Sequence, residues 1–202
     1  MNRRILCHRQ LVKAALALLG AAAALPLMAA PQRYRLDPAH SFATFEVMHF
    51  GTSTLRGRFG PLTGEVMLDV AAGRGEVGLT IDTSQVNTGV RMLDSRLCAA
   101  DLLDCEGFPQ AYFVARPFEV SADGRVTSLR GEFTLRGVSE ALTLTATQFG
   151  CYTQPESRRR VCGGDFVGEI RRSRFGATFG LPLVGDTVRL VVQVEGVAAE
   201  AP

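Results

Sequence analysis

The chain has 202 residues but no tryptophan, three histidines and three tyrosines, and its only lysine, Lys13, lies within the first thirty residues. Beyond Lys13 there is no side chain for a lysine Schiff base or for the lysine of a phosphate-binding loop, which excludes both chemistries from the body of the protein. Long apolar runs are also scarce. The only one, Ala14 to Leu25, falls short of the ~20 residues a membrane-spanning helix needs. Arg3, Arg4, Arg9 and Lys13 precede it and Leu27-Met28-Ala29-Ala30 follows, which is the layout of a cleavable secretory leader over residues 1–30. The expected product is an exported, periplasmic chain, residues 31–202, with no integral membrane span.

Cationic excess is missing once the leader is set aside. Removing its four basic residues leaves 18 basic against 20 acidic side chains, a formal net charge of −2. Nucleic-acid binding rests on a concentrated cationic face, so no nucleic-acid partner is expected. The ~172 residues that remain suffice for one domain with its own core, and no linker or repeat divides them.

Four cysteines follow the leader: Cys98, Cys105, Cys151 and Cys162. Their spacing lacks the close C-x₂₋₄-C pairs of structural zinc sites, so no metal is expected. An even count in an exported protein points instead to two disulfides. Three pairings are formally open. Cys98–Cys105 and Cys151–Cys162 are preferred because each closes a short loop, contributing roughly 2.5–3 kcal/mol in the chain-entropy picture.

From Ser41 onward the dominant period is two. Ala43, Phe45, Val47 and His49 alternate with Thr44, Glu46 and Met48, and the same alternation returns in Leu62–Leu68, Val77–Ile81, Ala111–Ala115, Leu129–Leu135, Leu142–Ala146 and Val188–Val194. Turn signals separate these runs: Ala72-Gly73-Arg74-Gly75, Ala122-Asp123-Gly124 and Arg136-Gly137-Val138. One helical window runs from about Gly89 to Asp104. Strands with a single apolar face must close into a barrel or stack as a sandwich. The small residues on the inward faces, Ala43, Gly64, Ala111, Ala115, Gly131 and Ala146, favour a barrel with interior space. The fold expected is therefore all-β, an antiparallel barrel of about eight strands with one short helix.

The residues also carry ordered motifs that resemble those of a known family. Asp37-Pro38-Ala39-His40-Ser41, Phe45 through Phe50, and Leu55-Arg56-Gly57-Arg58-Phe59 look like its opening pattern. Asp94 with Ala100 through Pro109 resembles its middle signature, Gly131 through Ser139 its Gly-x-Leu-Thr-x-x-Gly-Val-Thr segment, and Ile170 through Gly176 its Ile-Asn-Arg-x-x-Phe-Gly segment. The sequence departs from the family where Arg96 replaces a usual histidine, Leu102-Leu103 an aromatic pair and Arg171 a common asparagine. The family is that of the YceI-like proteins, and the resemblance spans essentially the whole chain after the leader. It implies an extended lipocalin-like barrel whose tunnel holds a polyisoprenoid, prenyl quinone or fatty amide, no catalysis, no cofactor besides the bound lipid, and frequent homodimers.

On that expectation His49, Phe45 and Val47 face the tunnel by parity, with Phe113, Phe133, Ile170 and Phe175 as further lining. Arg172 shares the parity of Phe166, Gly168 and Ile170; a buried guanidinium needs an anionic head group or an internal carboxylate such as Asp101. Three bland readings stand beside these. His40-Ser41 suggests a nucleophile pair, but neighbours in a strand point to opposite faces and no third group is evident. Asp101 and Asp104 read as caps or arginine partners. Arg158-Arg159-Arg160 reads as a solvated hairpin tip. The rival functions are a hydrolase on an apolar substrate and a structural or stress-related protein whose barrel is filled by its own side chains.

Overall fold

The computed structural model describes residues 30–199; the leader read over residues 1–30 lies outside them except for residue 30. Ten strands follow one another: β1 (Gln32–Leu36), β2 (Phe42–His49), β3 (Ser53–Phe59), β4 (Thr63–Asp69), β5 (Arg74–Asp82), β6 (Gln110–Glu119), β7 (Ser128–Leu135), β8 (Val138–Thr153), β9 (Arg160–Arg171) and β10 (Val184–Ala198). One helix, α1 (Arg91–Leu97), and two 3-10 turns, Thr83–Gln85 and Arg172–Phe175, complete the described chain.

Every pairing is antiparallel. From β1 the sheet runs through β4, β5, β6, β7, β8, β9 and β10 and returns to β1, so eight strands close a ring. Closure leaves no free edge in this ring, which is why strands with one apolar face can hide it inside. The fold is thus the all-β antiparallel barrel with one helix expected from the alternation and the small inward residues, and the lipocalin-like barrel that the family resemblance implies.

The remaining hairpin, β2–β3, opens one end. Along a single edge β10 pairs with β1 through Gly196 to Ala198 and with β2 through Val184 to Gln193. Strands β1 and β2 are in effect one strand interrupted at residues 37–41. Ser41, fully buried, stabilises the interruption: its Oγ donates to the Glu195 carbonyl and accepts from the Glu195 N–H, both at 3.3 Å. Asp37 supports the same jog by accepting from the Ala39 N–H at 2.9 Å and meeting His40 Nδ1 at 2.7 Å. A third group beside His40 does therefore exist, contrary to the expectation from sequence. The serine, however, is committed to backbone and closed to solvent.

Two-residue hairpin loops favour left-handed backbone at both central residues because that twist matches the flanking strands. Arg136 and Gly137 both adopt it, at φ 52° and 71°, between β7 and β8. The disulfides form as Cys98–Cys105 and Cys151–Cys162. The second joins directly opposed residues of β8 and β9. Of the three arginines expected at that hairpin's tip, Arg159 is instead held by the Ala198 carbonyl, to which its Nε donates at 2.8 Å, and Arg160 lies in β9.

Small inward residues leave interior space at only some positions. Ala43 and Ala111 do line a cavity. Around Gly131, however, the space is taken by the Phe113 ring and the Val114 carbonyl, and a Cβ on Gly64 would run into the Gly78 carbonyl. These glycines permit close approach of neighbouring groups and create no void.

Candidate functional site

A cavity of about 670 Å³ occupies the open half of the barrel, within the ~300–1,000 Å³ of typical ligand sites. Inward residues of β2, β5, β6, β7, β8, β9 and β10 build its wall, and Phe45, Val47, Phe113, Phe133 and Ile170 are all in it. Phe175 is not. It is buried in the same core as the wall residues, edge-on to Phe133 at 5.6 Å between ring centres, and so packs against the wall without lining the cavity.

The mouth is framed by three segments. One is the β2–β3 turn, where His49 and Phe50 are exposed and their rings meet edge-on at 4.6 Å. The second is the loop from Gly176 to Leu183 between the Arg172–Phe175 turn and β10, joined to the first by the Phe50 N–H donating to the Leu183 carbonyl at 2.7 Å. The third is a cap formed by α1 and residues 98–105. Among the described residues strand β3 pairs with no other strand than β2, and its far side is tied to the segment ahead of the cap by two 2.9 Å bonds between Arg58 and Asn87.

Charged side chains hold this frame together. Arg96 on α1 grips Asp101 with both terminal nitrogens, at 2.6 and 2.7 Å, and its guanidinium lies over the Phe179 ring. The bidentate bond from Arg96 holds the Asp101 carboxyl below the usual carboxylate range despite some desolvation. Arg136, aimed by its tight turn, donates to the Ala100 and Leu102 carbonyls at 2.7 and 2.6 Å. Asp94 Oδ1 accepts from the Thr88 N–H at 2.7 Å and its hydroxyl at 2.6 Å. Asp104 stabilises a turn by accepting from the Gly107 N–H at 3.3 Å. Both Asp101 and Asp104 thus serve structure.

Arg172 lines the cavity but is turned toward backbone. Its guanidinium donates to four carbonyls: Gly185 at 2.8 Å, Ala177 at 2.7 Å, Phe179 at 2.9 Å and Val184 at 2.8 Å. Burial lowers its pKa below the ordinary arginine value, with the nearby Asp186 carboxylate opposing the shift; an arginine remains charged regardless. The ion pair with Asp101 considered from sequence does not form, since Asp101 belongs to Arg96. Asp186 secures the start of the 3-10 turn, accepting from the Ser173 N–H and hydroxyl, each at 2.8 Å. Burial would raise its carboxyl, but these bonds and the nearby Arg171 and Arg172 charges together outweigh it and the pKa falls.

His49 differs from the two arginines. It lies on the cavity rim opposite Ser53 in the β2–β3 register, and its ring makes no hydrogen bond among the described residues. Sequence parity places it on the inward face; the structure puts it where that face meets solvent. The Arg96–Phe179 stack and the reach of Arg136 to the cap have no counterpart in the sequence reading. Only the Arg136-Gly137 turn carries a signal for either. Among the described residues no cluster of three or more His, Cys, Asp or Glu side chains could hold a metal ion, and no helix is long and apolar enough to cross a membrane.

Fold and site together define a closed antiparallel barrel enclosing an apolar chamber with a capped mouth. The YceI-like domain model matches residues 34–196, and the chain belongs to that family. It is 33% identical over 167 residues to the UPF0312 protein Ent638_1570 of Enterobacter sp. (strain 638), covering 81% of this chain and 85% of that one. Protein YceI of Salmonella arizonae is 32% identical, with 81% and 86% covered. Solved structures share the fold: a Campylobacter jejuni YCEI protein (TM-score 0.64, 24% identity, 76% and 90% covered) and a polyisoprenoid binding domain from Saccharophagus degradans implicated in plant cell wall breakdown (TM-score 0.59, 19% identity, 82% and 98% covered).

Proposed function

We propose that this protein binds a long-chain apolar lipid, a polyisoprenoid, prenyl quinone or fatty amide, and carries or sequesters it in the periplasm, with a role in stress response. The observation that carries the reading is the apolar chamber of about 670 Å³ opening at one end of an otherwise closed barrel. Each buried methylene contributes ~0.8 kcal/mol, so affinity comes from the tail. Discrimination falls to the few polar groups at the rim. His49, with Ser53 opposite, is the head-group donor, and Arg172 contributes by fixing the rim loop on which the head group rests. The binding of a polyisoprenoid by the Saccharophagus degradans domain, which shares this fold, supports the same reading. The leader-like start and two disulfides suit an oxidising, extracytoplasmic compartment.

The reading is of a binding protein without catalysis. Ser41 is buried and bonded to Glu195 backbone, which disfavours a hydrolase built on His40-Ser41. The size of the cavity disfavours a barrel filled by its own side chains.

The test is native mass spectrometry of the protein purified from an oxidising host compartment, with lipid analysis of whatever dissociates. A discrete lipid mass is expected, lost in Val47→Trp, which fills the chamber. The same spectrum reports whether the chain pairs as a homodimer. An empty protein that also refuses added prenols and fatty amides overturns the proposal.

A further inference from the structure

The large chamber is not the only apolar void in the barrel. A second, of about 60 Å³, lies toward the end closed by β1. Tyr34, Leu68, Phe118, Leu129 and Phe166 are among the buried side chains around it. Three residues border both voids: Leu79 on β5, Leu144 on β8 and Val192 on β10. All three are buried, at 6%, 2% and 7% exposure, and their strands stand two or three steps apart around the ring. They therefore converge from separate sides on one level of the barrel and form a waist, with the chamber above and the small void below.

The three waist side chains are all aliphatic and offer a ligand no hydrogen bond. What a ligand tail meets there is shape alone. A side chain at a waist blocks or admits according to its volume, and shortening one such residue leaves space that its neighbours fill only partly. Here that space would connect to a void already present.

We infer that Leu79, Leu144 and Val192 set the length of the lipid tail the barrel accepts, acting as the floor of the chamber. This inference rests on the lipid-binding reading and adds to it which residues select among ligands of one chemical class. With the head group at the His49 rim, the tail end reaches the waist. Tails too long for that distance must fold back inside the chamber or leave part of their length in water, and each exposed methylene forfeits ~0.8 kcal/mol. Discrimination by length is thus stepwise, one isoprene unit at a time.

The experiment is competition among all-trans prenols that differ by one isoprene unit, and separately among saturated fatty amides of graded length, read by native mass spectrometry. The unmodified protein is expected to show a length beyond which occupancy drops. In Leu144→Ala and Val192→Ala that limit is expected to move up by at least one isoprene unit. In Val192→Phe it is expected to move down, a change in the opposite direction that loss of folding does not mimic. Val114→Ala, on the outer face, is the control with no shift. If the unmodified protein binds the probes and the limit stays put in every waist variant, the floor assignment is wrong and lipid binding stands. If no probe binds at any length, the lipid-binding reading fails and the floor assignment with it.

Discussion

The Arg96 guanidinium sits 3.8 Å above the centre of the Phe179 ring, and the stack joins the cap to the loop on the other side of the mouth. The Phe179 N–H adds a long 3.4 Å bond to the Asp101 carbonyl. Cap and loop are thus latched at Phe179 by the Arg96 stack and by this backbone bond, and Arg96 is itself held by the Asp101 carboxylate.

Opening that latch is expected to change exchange before it changes affinity. In Phe179→Ala the cap loses its partner, and release of a bound fluorescent fatty amide is expected to accelerate several-fold with little change in the urea midpoint. An unchanged release rate in stopped-flow displacement counts against the latch. Asp101 titrates below its ordinary value of 3.8 because Arg96 holds it. Its contribution is therefore complete above that pH and lost as pH falls through the depressed value, so release is expected to quicken only in strong acid.

Arg172→Met is expected to destabilise the protein by about 3 kcal/mol, because it leaves one buried and three part-buried carbonyls without their donor, and an unsatisfied buried polar group costs ~1–3 kcal/mol. The carbonyls that lose their donor are those of Ala177, Phe179, Val184 and Gly185. Arg172→Lys is expected to recover only part of this, because one ammonium cannot reproduce a planar fork. Urea denaturation of both variants measures it; a loss under about 1 kcal/mol, below the single-carbonyl range, would show the loop to be held by other means.

The Asp37–His40 pair gives stability a defined pH window. The hydrogen bond to Asp37 raises the His40 pKa, and the same bond lowers that of Asp37. His40 contributes fully below its ordinary 6.5 and loses the contribution as pH rises through its raised value. Asp37 contributes fully above its ordinary 3.8 and loses it as pH falls through its lowered value. The gap in unfolding midpoint between the parent and Asp37→Asn is thus expected to be widest between those two values and to narrow on either side. A flat difference across pH contradicts the pairing.

The two disulfides are expected to separate in their effects. Replacing Cys151 and Cys162 by serine is expected to cost about 2–3 kcal/mol from the chain-entropy of the loop they close, with lipid release unaltered, since neither lines the chamber. Replacing Cys98 and Cys105 loosens the cap and is expected to quicken release as well. Equal release rates in the two variants argue that the cap does not gate the mouth.

Much of the barrel is legible in the amino-acid sequence by itself. Alternation determined which face of each strand is buried, because successive side chains must point to opposite sides, and it put Phe45, Val47, Phe113, Phe133 and Ile170 on the inner wall. Glycine-bearing turns located the hairpins, and short spacing selected the cysteine pairs. Parity says which way a residue points but not what waits across the barrel. Only closure of the ring, a matter of pairings between residues far apart in sequence, decided that Phe175 packs on Phe133 without lining the cavity, that Phe113 fills the space beside Gly131, and that Leu79, Leu144 and Val192 meet at one level. The fate of the buried arginine was likewise tertiary. A guanidinium takes whatever acceptors its surroundings offer, and for Arg172 these are four carbonyls, two on the rim loop and two at the start of β10, brought together by a chain path that no local pattern records.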